Sequence, residues 1–319
     1  MVASGGLLRL ERLGEALGCE CAYLLFAPHK TPEFKTRFSV LTWDEAAPGQ
    51  WSAVLVPGAG FPDKVIESFA RLSTANFGTR VQMILNDPHK THRFLRVNAA
   101  FNPHLVLFNN PLWTPGSYSA FRAKHFHELI GAVDTTQFTP RGERQNNTRF
   151  IVGGQVSKNP APLIDAMDLL PNDCALRLFG IDRTGVAPFA SARLGNRFEY
   201  VGPLFGDQLA SYYHGLDAVI STETTAGWAN VVAEAMASGV PVVTTPAGTA
   251  SIARHEVTAI VMDYPDPSRI AAAISRLKDD ALLGARLAKS ARQHIEAYNW
   301  RDYAAQFVEL VAITATDAG

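Results

Sequence analysis

The chain has 319 residues, of which 47% are hydrophobic, and its 29 Lys and Arg residues nearly balance its 30 Asp and Glu residues. This length favours two domains of ordinary size, each with a sizeable core. The charge balance excludes the broad basic face that nucleic-acid binding needs, and the hydrophobic content argues against intrinsic disorder.

The sequence shows no signal for a membrane or for export. No apolar run approaches the ~20 residues that a spanning helix needs, and the N-terminus lacks a basic region followed by an apolar one. Cys19, Cys21 and Cys174 have neither an even count nor a metal-ligand spacing, so we interpret them as reduced core residues. We therefore expect a cytoplasmic protein.

The first half of the chain alternates helix-like and strand-like segments. An amphipathic run predicts a helix, and β-rich runs follow it, a pattern typical of parallel sheets covered by crossover helices. Because Ser4, Gly5 and Gly6 resemble a strand-to-helix loop, we expect a first strand that lies upstream or is missing. The predicted helices are 7–17 and 64–72, and the predicted strands are 22–27, 52–57, 81–86 and 105–109.

A polar segment at 140–148 predicts a linker, and a second α/β series follows it. There we predict strands at 149–152, 175–179, 197–201 and 218–222, helices at 161–170 and 208–214, and a mostly helical end at 267–311 with a core-facing stripe of Trp300, Tyr303, Phe307 and Val311. The predicted organisation is a Rossmann-like domain at 1–140, a second at 141–296, and a helix at 297–319 that returns to the first domain.

The stretch GWANVVAEAMASGVPVVTT, from Gly227 to Thr245, is the most informative part of the chain. Asn230 is a good N-cap for a helix that Gly239 ends, and a β-branched run after it is typical of a buried strand. A helix N-terminus after a glycine loop favours a phosphate ligand. Glu234 could then reach a sugar hydroxyl, or it could face solvent in an ordinary α/β unit.

Four blocks of the chain resemble the retaining glycosyltransferases of family 4. They are GAVDTTQFTP at 131–140, IVGGQVSKNPAPLIDAM at 151–167, NRFEYVGPLFGDQLASYYHGLDAVIST at 196–222, and the stretch above continued through TPAGTASIARHEVTAIVMD. The resemblance implies the α/β GT-B fold, in which two Rossmann-like domains with parallel sheets face each other across a cleft. It also implies transfer of a sugar from a UDP- or GDP-type sugar nucleotide to an acceptor hydroxyl with retention.

The resemblance implies a role for each matching residue. Glu234 would bind the ribose hydroxyls, the backbone N–H groups of Asn230 and Val231 would meet the diphosphate, and Lys158 would neutralise it as it leaves, unless Lys158 is a solvated loop residue. The other donor-side positions are Gly5 and Gly6 in the N-domain loop, Gly153 and Gly154 at a strand end, Tyr200 and Gly202 near the base, and Gly227 and Trp228 in the glycine loop.

The chain departs from the family at three places. Ala226 stands where a second glutamate usually contacts the transferred sugar, so Glu223 could substitute or Trp228 could stack, although Glu223 could also be a surface residue. Gly154 and Gln155 occupy the place of the expected arginine. Lys158 would then neutralise most of the charge on the leaving diphosphate, with help from Arg254 or Arg183. Asn86 replaces an expected histidine, and we favour His89 over His92 as its catalytic counterpart, with a plain surface histidine as the alternative.

The sequence contains no Asp-x-Asp arrangement for a divalent ion, so we expect metal-independent transfer with no cofactor, by front-face attack as the domains close. The expected partners are a nucleotide sugar and a glycan, lipid-linked or small-molecule acceptor, with no nucleic acid and with peripheral membrane contact left open. A member that binds nucleotide but has lost transfer is the main alternative. An epimerase is another, while a nicotinamide oxidoreductase needs a G-x-G-x-x-G that the chain lacks.

Overall fold

The computed structural model describes residues 5–25, 36–46, 49–58, 61–86, 88, 91–140, 142 and 149–316. The chain folds into two compact units, Met1–Gly131 with Trp300–Gly319 (unit 1) and Ala132–Asn299 (unit 2). Within the described residues, no helix is both long and apolar enough to cross a membrane.

The first part of the chain forms short parallel strands with helices between most of them. In order, the elements are α1 (Gly5–Leu17), β1 (Ala22–Leu25), β2 (Ser39–Thr42), β3 (Ala53–Pro57), α2 (Asp63–Thr74), β4 (Thr79–Ile84), α3 (Thr91–Phe101), β5 (Leu105–Phe108), α4 (Pro115–Tyr118) and β6 (His125–Glu128).

The second part begins with β7 (Phe150–Gln155), α5 (Ala161–Met167), β8 (Cys174–Phe179), α6 (Val186–Leu194), β9 (Phe198–Tyr200), α7 (Gly206–His214) and β10 (Ala218–Ile220). It continues with α8 (Asn230–Ala237), β11 (Val242–Thr244), β12 (Ile260–Val261), α9 (Pro267–Asp279), α10 (Ala281–Ile295) and α11 (Trp300–Thr316).

Unit 1 contains two parallel sheets. Strands β1 and β2 form one, and β3-β4-β5-β6 form the other in chain order, with Val81 of β4 opposite Leu105 of β5. The apolar stripe of α2 buries Phe69 and Leu72, and it packs beside α3. Helix α11 packs on α1, where Leu13 and Tyr303 are buried.

Unit 2 is built on one six-stranded parallel sheet with the order β12-β11-β10-β7-β8-β9. From β7 the chain adds β8 and β9 on one side, and it then returns to add β10, β11 and β12 on the other. Near-continuous apolar strands such as β10 are fully buried, as expected for a sheet covered on both faces. The order of strands therefore reverses between β7 and β10.

The predicted elements at 22–27, 52–57, 81–86 and 105–109 are strands, and 64–72 is a helix, with ends that differ by a few residues. Elements without a prediction include β2, β6, α3 and α6. The edge strand β6 has the sequence HFHE. Its polar residues do not predict a strand, because an edge strand need not be apolar on both faces. The predicted linker lies largely outside the described residues, as does Ser4 of the expected first loop.

The boundary between the units lies at Gly131 and Ala132, whereas the predicted domain boundary is at 140 and 141. The segment that follows Gly131 is held by unit 2: Val133 N–H donates to the carbonyl of Tyr298 at 2.8 Å, and Arg292 donates to the carbonyl of Phe138 at 2.8 Å. These hydrogen bonds to residues far along the chain assign 132–140 to unit 2, which composition alone does not reveal.

The prediction that all three cysteines are core residues is wrong for two of them. Cys174 is buried, but Cys19 is exposed and Cys21 is only partly buried. Both lie in the turn between α1 and β1, with their sulfur atoms 4.0 Å apart, where Gly18 takes a φ of +63°. The turn places them at the surface, and their apolar character did not predict that.

Candidate functional site

The site lies in unit 2 at the reversal of strand order between β7 and β10. Loops that leave two parallel strands in opposite directions open a crevice at the carboxyl edge of the sheet, where open α/β sheets bind their ligands. A pocket is present at this place, and it is lined by Gly154, Gln155, Lys158, Pro160, Leu163, Leu178, Ile220, Ser221, Thr222, Glu223 and Val231.

Lys158 and Glu223 form an ion pair in this pocket. The Nζ atom of Lys158 lies 2.8 Å from Oε1 of Glu223, although the two residues are 65 positions apart in the chain. The Glu223 side chain is only 7% exposed, whereas that of Lys158 is 46% exposed. The interpretation of Glu223 as a surface residue is therefore wrong, and Lys158 is not a freely solvated loop lysine.

Hydrogen bonds between the two loops hold this pair in place. Asn159, with a φ of +52°, donates from its side chain to the carbonyl of Thr222 at 2.9 Å, and the Thr222 hydroxyl donates back to the carbonyl of Asn159 at 2.6 Å. The Thr245 hydroxyl, after β11, donates to the carbonyl of Glu223. The pocket thus has fixed walls, because three loops are tied together through their backbones.

Helix α8 begins beside the pocket. Its N-cap is Ala229, and Asn230 is the first helical residue, so the prediction of Asn230 as N-cap is wrong by one position. The N–H groups of Val232 and Ala233 both donate hydrogen bonds to the carbonyl of Ala229 at 3.1 Å. The first two helical N–H groups, of Asn230 and Val231, have no such partner within a helix and are available to an anion.

Glu234 lies one turn into α8 and is partly buried. The Tyr213 hydroxyl, on α7, donates to Oε2 of Glu234 at 2.7 Å. Burial, together with the charge of Glu234, raises the pKa of Tyr213 well above its usual value, so the hydroxyl keeps its proton and remains a donor. Sequence reasoning missed Tyr213, although it lies in a block that carries the resemblance.

The two glycines at the end of β7 have different surroundings. A Cβ atom on Gly153 would lie 2.2 Å from Cδ1 of Leu216 and 2.8 Å from the Tyr212 hydroxyl, so a larger residue at this position would force these two side chains to shift. Gly154 lines the pocket, and its N–H donates to the Tyr212 hydroxyl at 3.0 Å. Tyr212 therefore fixes the strand end that leads to Lys158.

The glycine loop before α8 is buried and tightly packed. Ala226 is 7% exposed, and a Cβ atom on Gly248 would lie 2.8 Å from the Cβ of Ala226. Gly227 is buried as well. The ring of Trp228 packs against that of Tyr298 with centroids 5.7 Å apart, and its Nε1 is buried without a hydrogen-bond partner in the described part of the chain. A glutamate at 226 would need a different arrangement of this loop.

The predicted base-side positions lie at the end of β9 and just after it. Tyr200 is partly exposed, and its hydroxyl donates to the carbonyl of Gly180 at 2.7 Å, while Gly202 takes a φ of +74°. The two arginines considered as helpers of Lys158, Arg183 and Arg254, are both exposed and do not line the pocket.

The remaining predicted residues belong to unit 1. Gly5 and Gly6 open α1 instead of forming a loop before it. Asn86 follows β4, and its carbonyl accepts a hydrogen bond from the Trp113 indole at 2.7 Å. His92 is exposed on α3, and His89 lies outside the described residues. Among the described residues, no three His, Cys, Asp or Glu side chains gather in a way that could hold a metal ion.

The comparisons with known proteins agree with this architecture. The sheets and helices have the GT-B glycosyltransferase fold. The model of the family "Glycosyl transferases group 1" matches residues 122–280, so the chain carries a glycosyl transferases group 1 domain.

Solved structures match almost the whole chain. HepE from Anabaena, crystallised in complex with UDP-glucose, has a TM-score of 0.78 at 19% identity, with 98% of this chain and 96% of that chain covered. Sucrose-phosphate synthase from Thermosynechococcus elongatus has a TM-score of 0.79 at 17% identity, with 99% and 95% covered. At these identities the likeness is one of fold.

A curated relative matches a shorter part. The D-inositol 3-phosphate glycosyltransferase of Salinispora tropica is 32% identical over 124 residues, which are 38% of this chain and 26% of that protein. The chain thus spans much less than two thirds of the length of this relative.

Proposed function

We propose that the protein is a retaining glycosyltransferase of family 4 that moves a hexosyl unit from a nucleotide-diphosphate sugar to an acceptor hydroxyl. The observation that carries the proposal is the pocket at the strand reversal, which Lys158 and the first turn of α8 line together. An ammonium group and free helix N–H groups around one crevice suit a diphosphate, because both stabilise negative charge.

Each charged residue of the site has a place in this proposal. Lys158 and the N–H groups of Asn230 and Val231 bind the diphosphate. Glu234, oriented by the 2.7 Å hydrogen bond from Tyr213, accepts hydrogen bonds from the ribose hydroxyl groups. Glu223 is the carboxylate that lines the pocket. It contacts the transferred sugar in place of the family's second glutamate, whose position is occupied by Ala226. Tyr200 and Gly202 lie on the side of the base.

The proposed chemistry needs no side-chain nucleophile, metal ion or cofactor. As the bond between sugar and phosphate breaks, Lys158 and the dipole of α8 stabilise the charge on the leaving diphosphate. The acceptor hydroxyl attacks from the same face and passes its proton to the departing phosphate oxygen, which retains the anomeric configuration. Positioning and electrostatic preorganisation supply the rate.

A panel of UDP-, GDP-, ADP- and dTDP-sugars, screened by thermal stabilisation, tests the donor class. At least one should raise the melting midpoint, because a ligand that binds only the folded state stabilises it. The same donors, incubated with myo-inositol phosphate, glycerol and simple sugars, then reveal transfer, and NMR of the product gives the anomeric configuration. Activity that survives EDTA supports metal independence, and a panel without any stabilising nucleotide contradicts the proposal.

A second candidate is a member of the same fold that binds the donor but has lost transfer. The observation that favours it is Ala226, which is buried in the tightly packed loop where a sugar-contacting glutamate is expected. This candidate predicts thermal stabilisation by a sugar nucleotide without hydrolysis or transfer of the sugar to any acceptor in the panel.

A further inference from the structure

The block GAVDTTQFTP at 131–140 lies entirely within the described residues and contributes none of them to the pocket, whereas the other three blocks each line it. Its Phe138 packs instead against Tyr213, whose hydroxyl donates to Glu234. We propose that Phe138 is a positioning residue for the donor site: its ring holds Tyr213 so that Glu234 keeps the orientation in which it binds the ribose. The inference rests on the proposed binding of the ribose by Glu234.

The contact between Phe138 and Tyr213 is buried and has a defined geometry. The ring centroids lie 5.8 Å apart at an interplanar angle of 77°, an edge-to-face arrangement. Phe179 of β8 and Tyr212 of α7 also pack against the Tyr213 ring, with centroids 6.3 and 5.5 Å away. Close packing of a buried ring restricts its rotamers, so these contacts set where the Tyr213 hydroxyl lies. Of the three neighbours, Phe138 is the one that comes from the segment at the start of unit 2.

The block forms the turn that presents the Phe138 ring. Oδ1 of Asp134 accepts hydrogen bonds from the N–H groups of Thr136 and Gln137 at 3.1 and 3.0 Å, and from the Thr136 hydroxyl at 2.6 Å. The N–H of Phe138 donates to the carbonyl of Asp134 at 2.9 Å. An aspartate that binds N–H groups two and three residues later closes a turn. Asp134 therefore fixes the backbone from which the Phe138 ring projects.

Arg292 of α10 ties this turn to the helix that carries Glu234. Its guanidinium donates to the carbonyl of Phe138 at 2.8 Å and to that of Ala237 at 2.7 Å. Ala237 is the last residue of α8, where carbonyls lack helical partners and carry partial negative charge, which a cation stabilises. The turn thus meets α8 twice, through Arg292 at the end of the helix and through the rings of Phe138 and Tyr213 at Glu234.

The preference for ribose over 2′-deoxyribose separates positioning from simple packing. A well-oriented Glu234 accepts a hydrogen bond from the 2′-hydroxyl, so the wild type should bind a ribonucleoside diphosphate at least about tenfold more tightly than its 2′-deoxy counterpart. Truncation of any buried ring lowers the free energy of unfolding. A loss of stability alone acts equally on both nucleotides and leaves the ratio of their dissociation constants unchanged.

Isothermal titration calorimetry with UDP and dUDP, ADP and dADP, and GDP and dGDP measures this ratio, because each pair differs only at the 2′ position. Phe138→Leu should lower the ratio at least about threefold, and Glu234→Ala should bring it close to one. In the Glu234→Ala background, Phe138→Leu should not change the ratio further, since no carboxylate remains to be positioned.

Phe150→Leu is the matched control. Phe150 is the first residue of β7 and packs, partly buried, against the core of unit 2, so its truncation should lower stability and keep the wild-type ratio. Asp134→Ala is the second variant if Phe138→Leu does not fold. It removes the acceptor that closes the turn, leaves the Phe138 ring in the chain, and should lower the ratio in the same direction.

The outcomes distinguish the inference from the proposed function. A wild-type ratio in folded Phe138→Leu or Asp134→Ala, or an equal fall in Phe150→Leu, overturns the inference while the proposed donor class stands. A wild type that binds ribonucleotides and their 2′-deoxy counterparts equally also overturns it, because Glu234 then makes no bond to the 2′-hydroxyl. If no nucleotide of the three pairs binds the wild type, the proposed function fails and the inference fails with it.

Discussion

The carboxyl edges of the parallel sheets differ between the two units. In unit 2 the residues that follow β7 and β10 include Lys158 and Glu223, an ion pair beside the start of a helix. In unit 1 the described residues directly after β4 and β5 include Asn86, Asn109 and Asn110, which carry no charge. Parallel strands are thus followed by charged residues in unit 2 and by these amides among the described residues of unit 1, a difference that fits the proposed binding of an anionic donor to unit 2.

The largest effect should come from Lys158→Ala, which removes the cation of the unit 2 edge. We expect kcat/KM for sugar transfer to fall at least about thirtyfold, a loss of ~2 kcal/mol of transition-state stabilisation, because the leaving diphosphate loses a charged contact. Lys278→Ala, which removes a partly exposed ion pair with Asp173 in the same unit, is the control and should behave like the wild type. Near-normal transfer by Lys158→Ala would contradict the role of this edge.

Glu234→Ala should lower kcat/KM by ~2 kcal/mol, because the ribose hydroxyls lose a charged acceptor. Tyr213→Phe removes only the hydroxyl that orients Glu234, and it should cost about 1 kcal/mol, mainly in donor binding. Steady-state kinetics of both variants over a range of donor concentrations measure these two losses. An effect of Tyr213→Phe as large as that of Glu234→Ala would mean that the tyrosine does more than orient the carboxylate.

Gly248→Ala tests the close packing that supports the unit 2 site. Gly248 has a φ of +69°, and an added Cβ would lie 2.8 Å from the Cβ of Ala226 and 2.9 Å from the nitrogen of Ala229. Gly185 has a φ of +75° but open space around it, so Gly185→Ala is the control for backbone strain alone. We expect Gly248→Ala to lower the free energy of unfolding by about 1.5 kcal/mol more than the control, measured by chemical denaturation.

The smallest effect concerns the amides of unit 1. Asn109 is buried, and its Oδ1 accepts no hydrogen bond from the described residues, whereas Asn98 bonds to Gln82 at 2.8 Å and to Arg122 at 3.0 and 2.7 Å. Asn98→Ala should cost about 2 kcal/mol of stability, but Asn109→Ala less than about 0.5 kcal/mol. Thermal and urea unfolding compare the two. A large loss for Asn109→Ala would show that its amide supports the fold and would weaken the contrast between the units.

Much of the architecture could be predicted from local pattern. The apolar run at 105–109 and the amphipathic run at 64–72 match β5 and α2, because burial of a strand or of one helix face leaves a periodic trace in the sequence. The edge strand β6, with its HFHE sequence, left no such trace, and the two surface cysteines were misassigned because exposure depends on the turn that carries them.

Prediction of the candidate site had the same limits. The prediction of a helix around Glu234 is confirmed, but the predicted N-cap is one residue too late. Ala229 takes the cap position, and its N–H donates to the carbonyl of Gly248 at 3.0 Å. Tyr213 was overlooked, since nothing in its local sequence indicates that its hydroxyl meets a carboxylate 21 residues away.

The sequence by itself determined the alternating α/β pattern, the glycine loop before α8, and the residue types that suit a nucleotide sugar. Only the tertiary structure decided that the strand order reverses between β7 and β10, and that Lys158 therefore meets a buried Glu223 from 65 positions away. Local sequence fixes backbone preference and polarity, because these depend on neighbouring residues. Pairing and burial depend on which distant segments the sheet brings together, and so they emerge only when the chain has folded.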